Sequence, residues 1–202
     1  MTALSWTAGP VADAEAMRHS LVDAESFGAI FDQYFGEIHR YVAQRLGEEH
    51  AEDIVAETFL TAFRKRERYD AERATVRAWL YGIATNLIGK HRRVETRRLR
   101  ALGRYGPEAA APGPEERVAV QVSAESLRPE LTAAVAALDR RDRDVLLLVA
   151  LAGLSHEEIA TALDIPYGTV GSRLSRARRK LRAALGGSNP MRDDEEAGDG
   201  RA

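Results

Sequence analysis

The sequence predicts an all-α protein, two small helical domains joined by a flexible linker, and three observations predict it. Apolar residues recur at three- and four-residue spacing over residues 25–102, with no alternating strand pattern. The stretch "GRYGPEAAAPGPEE" (103–116) then breaks the periodicity with three glycines and three prolines, the composition of an extended, mobile connection. Helical periodicity resumes near Leu127 and runs to Leu185, enough chain for a small helical unit. The expected organisation is a disordered N-terminal tail (1–24), a first domain (25–102), a flexible linker (103–126), a second domain (127–185) and an acidic disordered tail (186–202).

Within the first domain, Phe27, Ile30, Phe31, Tyr34 and Ile38 form one apolar stripe, and Ile54, Val55, Phe59 and Ala62 form a second. Val76, Leu80, Ile83, Leu87 and Val94 form a third, with Trp79 beside it. Three such helices with short polar joints can bury a bundle core. The second helix, 51–66, carries Asp53, Glu57, Leu60 and Arg64 on its other side. Acids at i and i+4 repel and do nothing for the helix itself, and an exposed leucine beside them resembles the anchor of a protein interface. The third helix, 73–94, turns Tyr81, Thr85, Asn86, Arg92 and Arg93 outward and holds Gly82 and Gly89 in its interior. Each interior glycine costs roughly 1 kcal/mol against alanine, so a close approach of a ligand to the backbone is expected there. Aromatic rings beside cations suit single-stranded nucleic acid, because any base stacks on a ring while the backbone is neutralised.

The second domain holds the sharper signal. Ser155 followed by Glu158 reads as a capping box, with Leu154 and Ile159 placed as a hydrophobic staple. A short helix from Ser155 to about Leu163 is followed by the turn Asp164-Ile165-Pro166, with Pro166 suited to opening the next helix. Two helices around so short a turn make a helix-turn-helix. On the second of them Val170, Leu174, Ala177 and Leu181 fall on a core-facing arc. Ser172, Ser175, Arg176 and Arg179 lie opposite, flanked by Thr169 and Arg182, with Arg173, Arg178 and Lys180 on the borders. A recognition helix needs this division, with short polar and Arg side chains for base edges and cations for phosphates.

Composition narrows the function further. Of 202 residues, 30% are charged and 45% hydrophobic, ordinary for a globular protein. With no cysteine, disulfides and thiolate chemistry are excluded, which suits the reducing cytoplasm, the expected location. The five histidines have no metal spacing, and "HEEIA" at His156 is not a zinc-protease pattern, since Ala160 stands where the second histidine is needed. No metal, cofactor or catalytic residue is expected. The apolar run 145–154 is far shorter than the ~20 residues of a spanning helix, so no membrane insertion is expected, and the N-terminus lacks a secretory pattern. The formal net charge of −2 hides segregation. Residues 191–202 are acidic, while 91–104 and 173–182 are strongly basic, the footprint of a nucleic-acid partner.

The segments "AEDIVAETFLTAFRK", "VRAWLYGIATNLIGKHRR" and "LSHEEIATALDIPYGTVGSRLSRARRKL", in that order around a linker, closely resemble the extracytoplasmic-function (ECF) sigma factors of the bacterial sigma-70 family. The resemblance implies a transcription initiation factor. Its first domain would bind the β′ clamp helices of core RNA polymerase and open the downstream promoter element, capturing flipped bases. Its last domain would rest on the β flap and read the upstream element as duplex. The resemblance implies a polymerase-facing role for Asp53 and Glu57, with Leu60 and Arg64 on the same face, and a place in the base-capture pocket for Asn86, beside Tyr81, Lys90, Arg92 and Arg93. It places Thr169, Ser172, Arg173 and Arg176 in the recognition region, with Arg179 and Lys180 beyond them. Members are commonly held inactive by an anti-sigma factor, which nothing in this sequence identifies. Ala56, Gly171 and Ser175 depart from the family's habits: glutamine is frequent at the first, a basic residue at the second and a basic or bulky one at the third. The alternatives are an autonomous helix-turn-helix repressor or activator, which needs a dimer surface or ligand pocket, and a nuclease, which needs clustered metal ligands.

Overall fold

The structure, a computed structural model, describes residues 10–101 and 129–185. The expected linker and the acidic tail lie outside the described residues. Among those described there are eight α-helices, two short 3₁₀ turns and no strand.

The chain enters through α1 (Pro10–His19) and a 3₁₀ turn (Ala24–Phe27). Residues 10–19 were expected to belong to a disordered tail; they form a helix that packs on the first domain. Ala16 and Met17 are buried, and the buried Asp13 accepts a hydrogen bond from the Tyr34 hydroxyl. The apolar contribution of α1 is too short to show a period, and its anchor is a polar contact 21 residues away, so no local pattern marks it. Asp23 then caps the 3₁₀ turn, accepting from the Glu25 amide at 3.1 Å.

Helices α2 (Gly28–Leu46), α3 (Glu48–Lys65) and α4 (Val76–Ala101) form the first bundle. Gly47 joins α2 to α3 at φ 88°, a conformation that favours glycine. Ile30, Ile38, Val42, Val55, Phe59, Val76, Leu80 and Ile88 fill the core, all at most 4% exposed. Two residues assigned to the stripes stand outside it. Phe31 is 40% exposed, at the border of its stripe and edge-on to Phe59, and Val94 is 53% exposed, beyond Ile88, the last buried apolar side chain described on α4.

The second domain comprises α5 (Pro129–Ala136), α6 (Arg140–Ala152), α7 (His156–Leu163) and α8 (Tyr167–Ala184). Asp139 caps α6 through the Arg141 amide at 2.9 Å, and Gly153 ends it in the left-handed region at φ 61°. Val145, Leu148, Leu154, Ile159, Val170 and Leu174 are buried in one cluster with the core of the first domain. The two domains are therefore docked, with α7 lying against α4.

Candidate nucleic-acid interface

The helix-turn-helix is built as its residues dictate. Ser155 Oγ accepts the Glu158 amide at 3.2 Å, and Glu158 Oε2 accepts the Ser155 amide at 2.9 Å. Both halves of the capping box are thus present, and Leu154 and Ile159 are buried beside it. Asp164 ends α7 at φ 50°, which its short polar side chain tolerates. Pro166 stands at the N-cap of α8 and Tyr167 is the first helical residue, one position later than expected.

On α8, Val170, Leu174 and Ala177 are buried as the arc requires, while Leu181 is only half-buried, near the helix end. Ser172, Arg176, Arg179 and Lys180 are exposed, and Thr169 and Arg173 are half-buried. Ser172 Oγ donates to the Thr169 carbonyl at 3.0 Å, which spends its proton and leaves the oxygen as an acceptor. Gly171 has no non-neighbouring atom within 4 Å of where a Cβ would stand. The outer face is therefore cationic with small polar residues toward its start.

Sequence reasoning missed the partner of Arg176. Asp142, in the first turn of α6, accepts from Arg176 Nη2 at 3.0 Å and from Nε at 3.3 Å. The hydrogen bond and charge of Asp142 both raise the Arg176 pKa. The two residues are 34 apart in sequence, and no periodicity connects them.

On α3 the four expected interface residues share solvent exposure. Asp53, Glu57, Leu60 and Arg64 are all open, Leu60 by 41%. Phe31 and Phe35 of α2, with ring centroids 5.1 Å apart, expose further apolar surface. Phe31 shares the period of the apolar stripe of α2 but stands at its border, 40% exposed, which the period alone does not show.

Helix α4 departs most from expectation. Asn86, Lys90 and Arg93 are exposed, but Tyr81 and Thr85 are each only 2% exposed. Tyr81 packs edge-on against Tyr41 at 5.0 Å, with the Arg77 guanidinium 5.2 Å from its ring centre. Burial, then the charge of Glu37, pushes its phenol up to about 12. Thr85 Oγ1 lies 2.8 Å from the Tyr41 hydroxyl, and Arg92 is half-buried, donating to the Arg45 carbonyl at 2.5 Å.

The two interior glycines meet the second domain. A Cβ at Gly82 would overlap the Ala162 carbonyl oxygen, and one at Gly89 would overlap the Arg140 guanidinium. The close approach expected of a ligand is made by the chain's own second domain. Around it, Arg77 Nη2 donates to the Ala152 carbonyl at 2.6 Å while Nε is shared by both Glu37 oxygens at 3.1 Å. Arg45, buried in α2, reaches Asp144 of α6.

Among the described residues no cluster of three or more His, Cys, Asp or Glu could hold a metal ion, and no helix is long and apolar enough to cross a membrane.

Comparison with known proteins follows the same division. The family model for Sigma-70 region 2 matches residues 30–98, from Ile30 in α2 to Arg98 in α4, and that for Sigma-70 region 4 matches 128–181, from α5 into α8. The chain is 32% identical over 185 residues to the RNA polymerase sigma factor NccH of Alcaligenes xylosoxydans xylosoxydans, covering 87% of this chain and 95% of that one. The chain belongs to the ECF sigma factors.

It is also similar to another sigma factor, the ECF RNA polymerase sigma factor SigL of Mycobacterium tuberculosis, at 34% identity over 81% of this chain and 90% of that one. The fold of this sigma factor matches that of RpoE from Bartonella quintana, solved in complex with the anti-sigma factor NepR. That match has a TM-score of 0.60 and 23% identity and covers 82% of this chain and 99% of the other. CnrH, solved with the cytosolic domain of CnrY, matches at a TM-score of 0.59 and 23% identity over 88% and 99%. Membership accounts for both matched regions, and neither an autonomous regulator nor a nuclease is needed.

Proposed function

We propose that this sigma factor binds core RNA polymerase through α3 and the β flap through its second domain, opens the downstream promoter element with α4, and reads the upstream element with α8. It acts in the cytoplasm and has no catalytic residues; the nucleotide chemistry belongs to the polymerase. The observation that carries this reading is the pairing of two exposed faces of opposite character on one chain. Asp53, Glu57 and Leu60 offer an acidic and apolar face on α3, while Arg176, Arg179 and Lys180 offer a cationic one on α8. The first suits a protein partner and the second suits duplex DNA.

On α4, Asn86, Lys90 and Arg93 are accessible as they stand, whereas Tyr81 is packed against Tyr41 inside the first domain. The second domain lies against α4 at Gly82 and Gly89, so opening of the downstream element goes with separation of the two domains. An anti-sigma partner, as in the solved complex of RpoE with NepR, extends to this chain under the same reading. The test is reconstitution with core polymerase on a library of genomic fragments, with mapped transcript starts. Promoter-dependent initiation that needs this chain is the expected result, and its absence overturns the reading.

A further inference from the structure

We infer that Asp142 is a specificity-determining positioning residue, which fixes the Arg176 guanidinium so that it reads a base edge in the upstream element instead of anchoring a phosphate. The inference rests on the reading of α8 as the upstream-element helix and names what one of its residues recognises.

The geometry runs through the edges of the guanidinium plane. Asp142 is 3% exposed and belongs to α6, so its position is set by the core. Its two oxygens take Nη2 and Nε of Arg176, at 3.0 and 3.3 Å. An arginine has five N–H donors in a rigid fork, and this pairing occupies two of them on one edge. The remaining Nη1 and Nη2 hydrogens lie on the other edges, and the Arg176 side chain is 45% exposed. Two parallel donors held in one plane are what the O6 and N7 acceptors of guanine require in the major groove.

Charge points the same way. A phosphate anchor works chiefly through net positive charge. Beside Asp142, Arg176 contributes a pair with no net charge, whereas Arg179 and Lys180 stand exposed further along the helix. A buried carboxylate near the DNA backbone would repel phosphate, so placing one there weakens any anchoring role. Asp139, the other acid at this end of α6, is accounted for by its cap on the Arg141 amide. Asp142 has no such capping bond; its carboxylate serves Arg176. The pairing also freezes the long side chain before DNA arrives, which lowers the ordering cost of binding.

The experiment uses the reconstituted holoenzyme and a promoter library randomised across the upstream element, with Asp142→Asn, Arg176→Lys and the parent compared at several salt concentrations. Base preference and the salt slope of binding are read together, and thermal melting checks that each variant folds. Asp142→Asn is expected to lower the preference at one G·C position about tenfold, the scale of a lost bidentate pair. The same change should steepen the salt slope by up to about one counterion, because Arg176 regains a net charge. Arg176→Lys, which keeps the charge and loses the fork, should lose the same preference. A folded Asp142→Asn variant with parental base preference overturns the inference, as does one whose affinity falls equally on all sequences. If Asp142→Asn does not fold, Arg176→Lys decides alone, and retention of every preference overturns it. A parent holoenzyme with no promoter selectivity would instead sink the sigma-factor reading of α8.

Discussion

Arg45 of α2 and Asp144 of α6 meet at 2.5 Å, and their side chains are 1% and 8% exposed. Burial works against the Arg45 charge, but Tyr41 and the Asp144 carboxylate outweigh it and raise its pKa. A buried ion pair is a poor source of net stability, because both charges give up water to form it. It is well suited to a contact that must separate, since both partners regain their hydration when the domains part. Removing one partner shifts that balance. Asp144→Ala leaves an unpaired charge in the docked form, at about 3–5 kcal/mol, and the undocked form relieves it. A larger radius of gyration by X-ray scattering is expected, with helix content retained; an unchanged radius would show that the pair does not control docking.

Two glycines inside helices should answer in opposite ways to the same substitution. Alanine favours a helix over glycine by up to ~1 kcal/mol. At Gly171, where the space is open, Gly171→Ala should raise the melting temperature and Gly171→Arg should tighten duplex binding and steepen its salt dependence. At Gly82 the added methyl meets the Ala162 backbone, so Gly82→Ala should expand the molecule in scattering while keeping its helices. Equal behaviour at both positions would contradict the docked arrangement.

Reversing both acids of α3, Asp53→Lys with Glu57→Lys, should weaken association with core polymerase at least tenfold in a pull-down titration. Pairing with cationic partner groups would be lost and like-charge repulsion gained. Circular dichroism should be unchanged, because both positions are exposed. Parental affinity in the double variant would remove α3 from the interface.

His91 gives a pH dependence. Its ring lies 4.7 Å from that of His50. Burial, then the neighbouring His50, holds its pKa below the ordinary histidine value, with Arg92 acting the same way and Glu95 and Asp53 opposing. The unfolded chain therefore takes up the proton first as pH falls through about 6.5, so stability from this group is present above that pH and lost below it. Denaturation midpoints should fall on acidification from pH 7 to pH 5.5, and His91→Gln should reduce the slope. An identical slope in the variant would assign the effect elsewhere.

The recognition helix was legible in the sequence because its determinants are local. The capping box spans four residues, the turn three, and the division of α8 into apolar and cationic arcs repeats with the helical period. The exposure of Asp53, Glu57, Leu60 and Arg64 followed from the same period. What the sequence could not show depends on pairs brought together across the chain: Asp13 with Tyr34, Arg45 with Asp144, Arg176 with Asp142, and Gly82 with the carbonyl of Ala162. The sequence alone determined which faces each helix has, since periodicity is a property of one helix. Which of those faces meets water, and which meets the other domain, only the tertiary structure decided. Docking brings the Ala162 carbonyl against Gly82, eighty positions away, and Tyr81 and Thr85 turn inward onto Tyr41 of α2; no local pattern encodes either pairing.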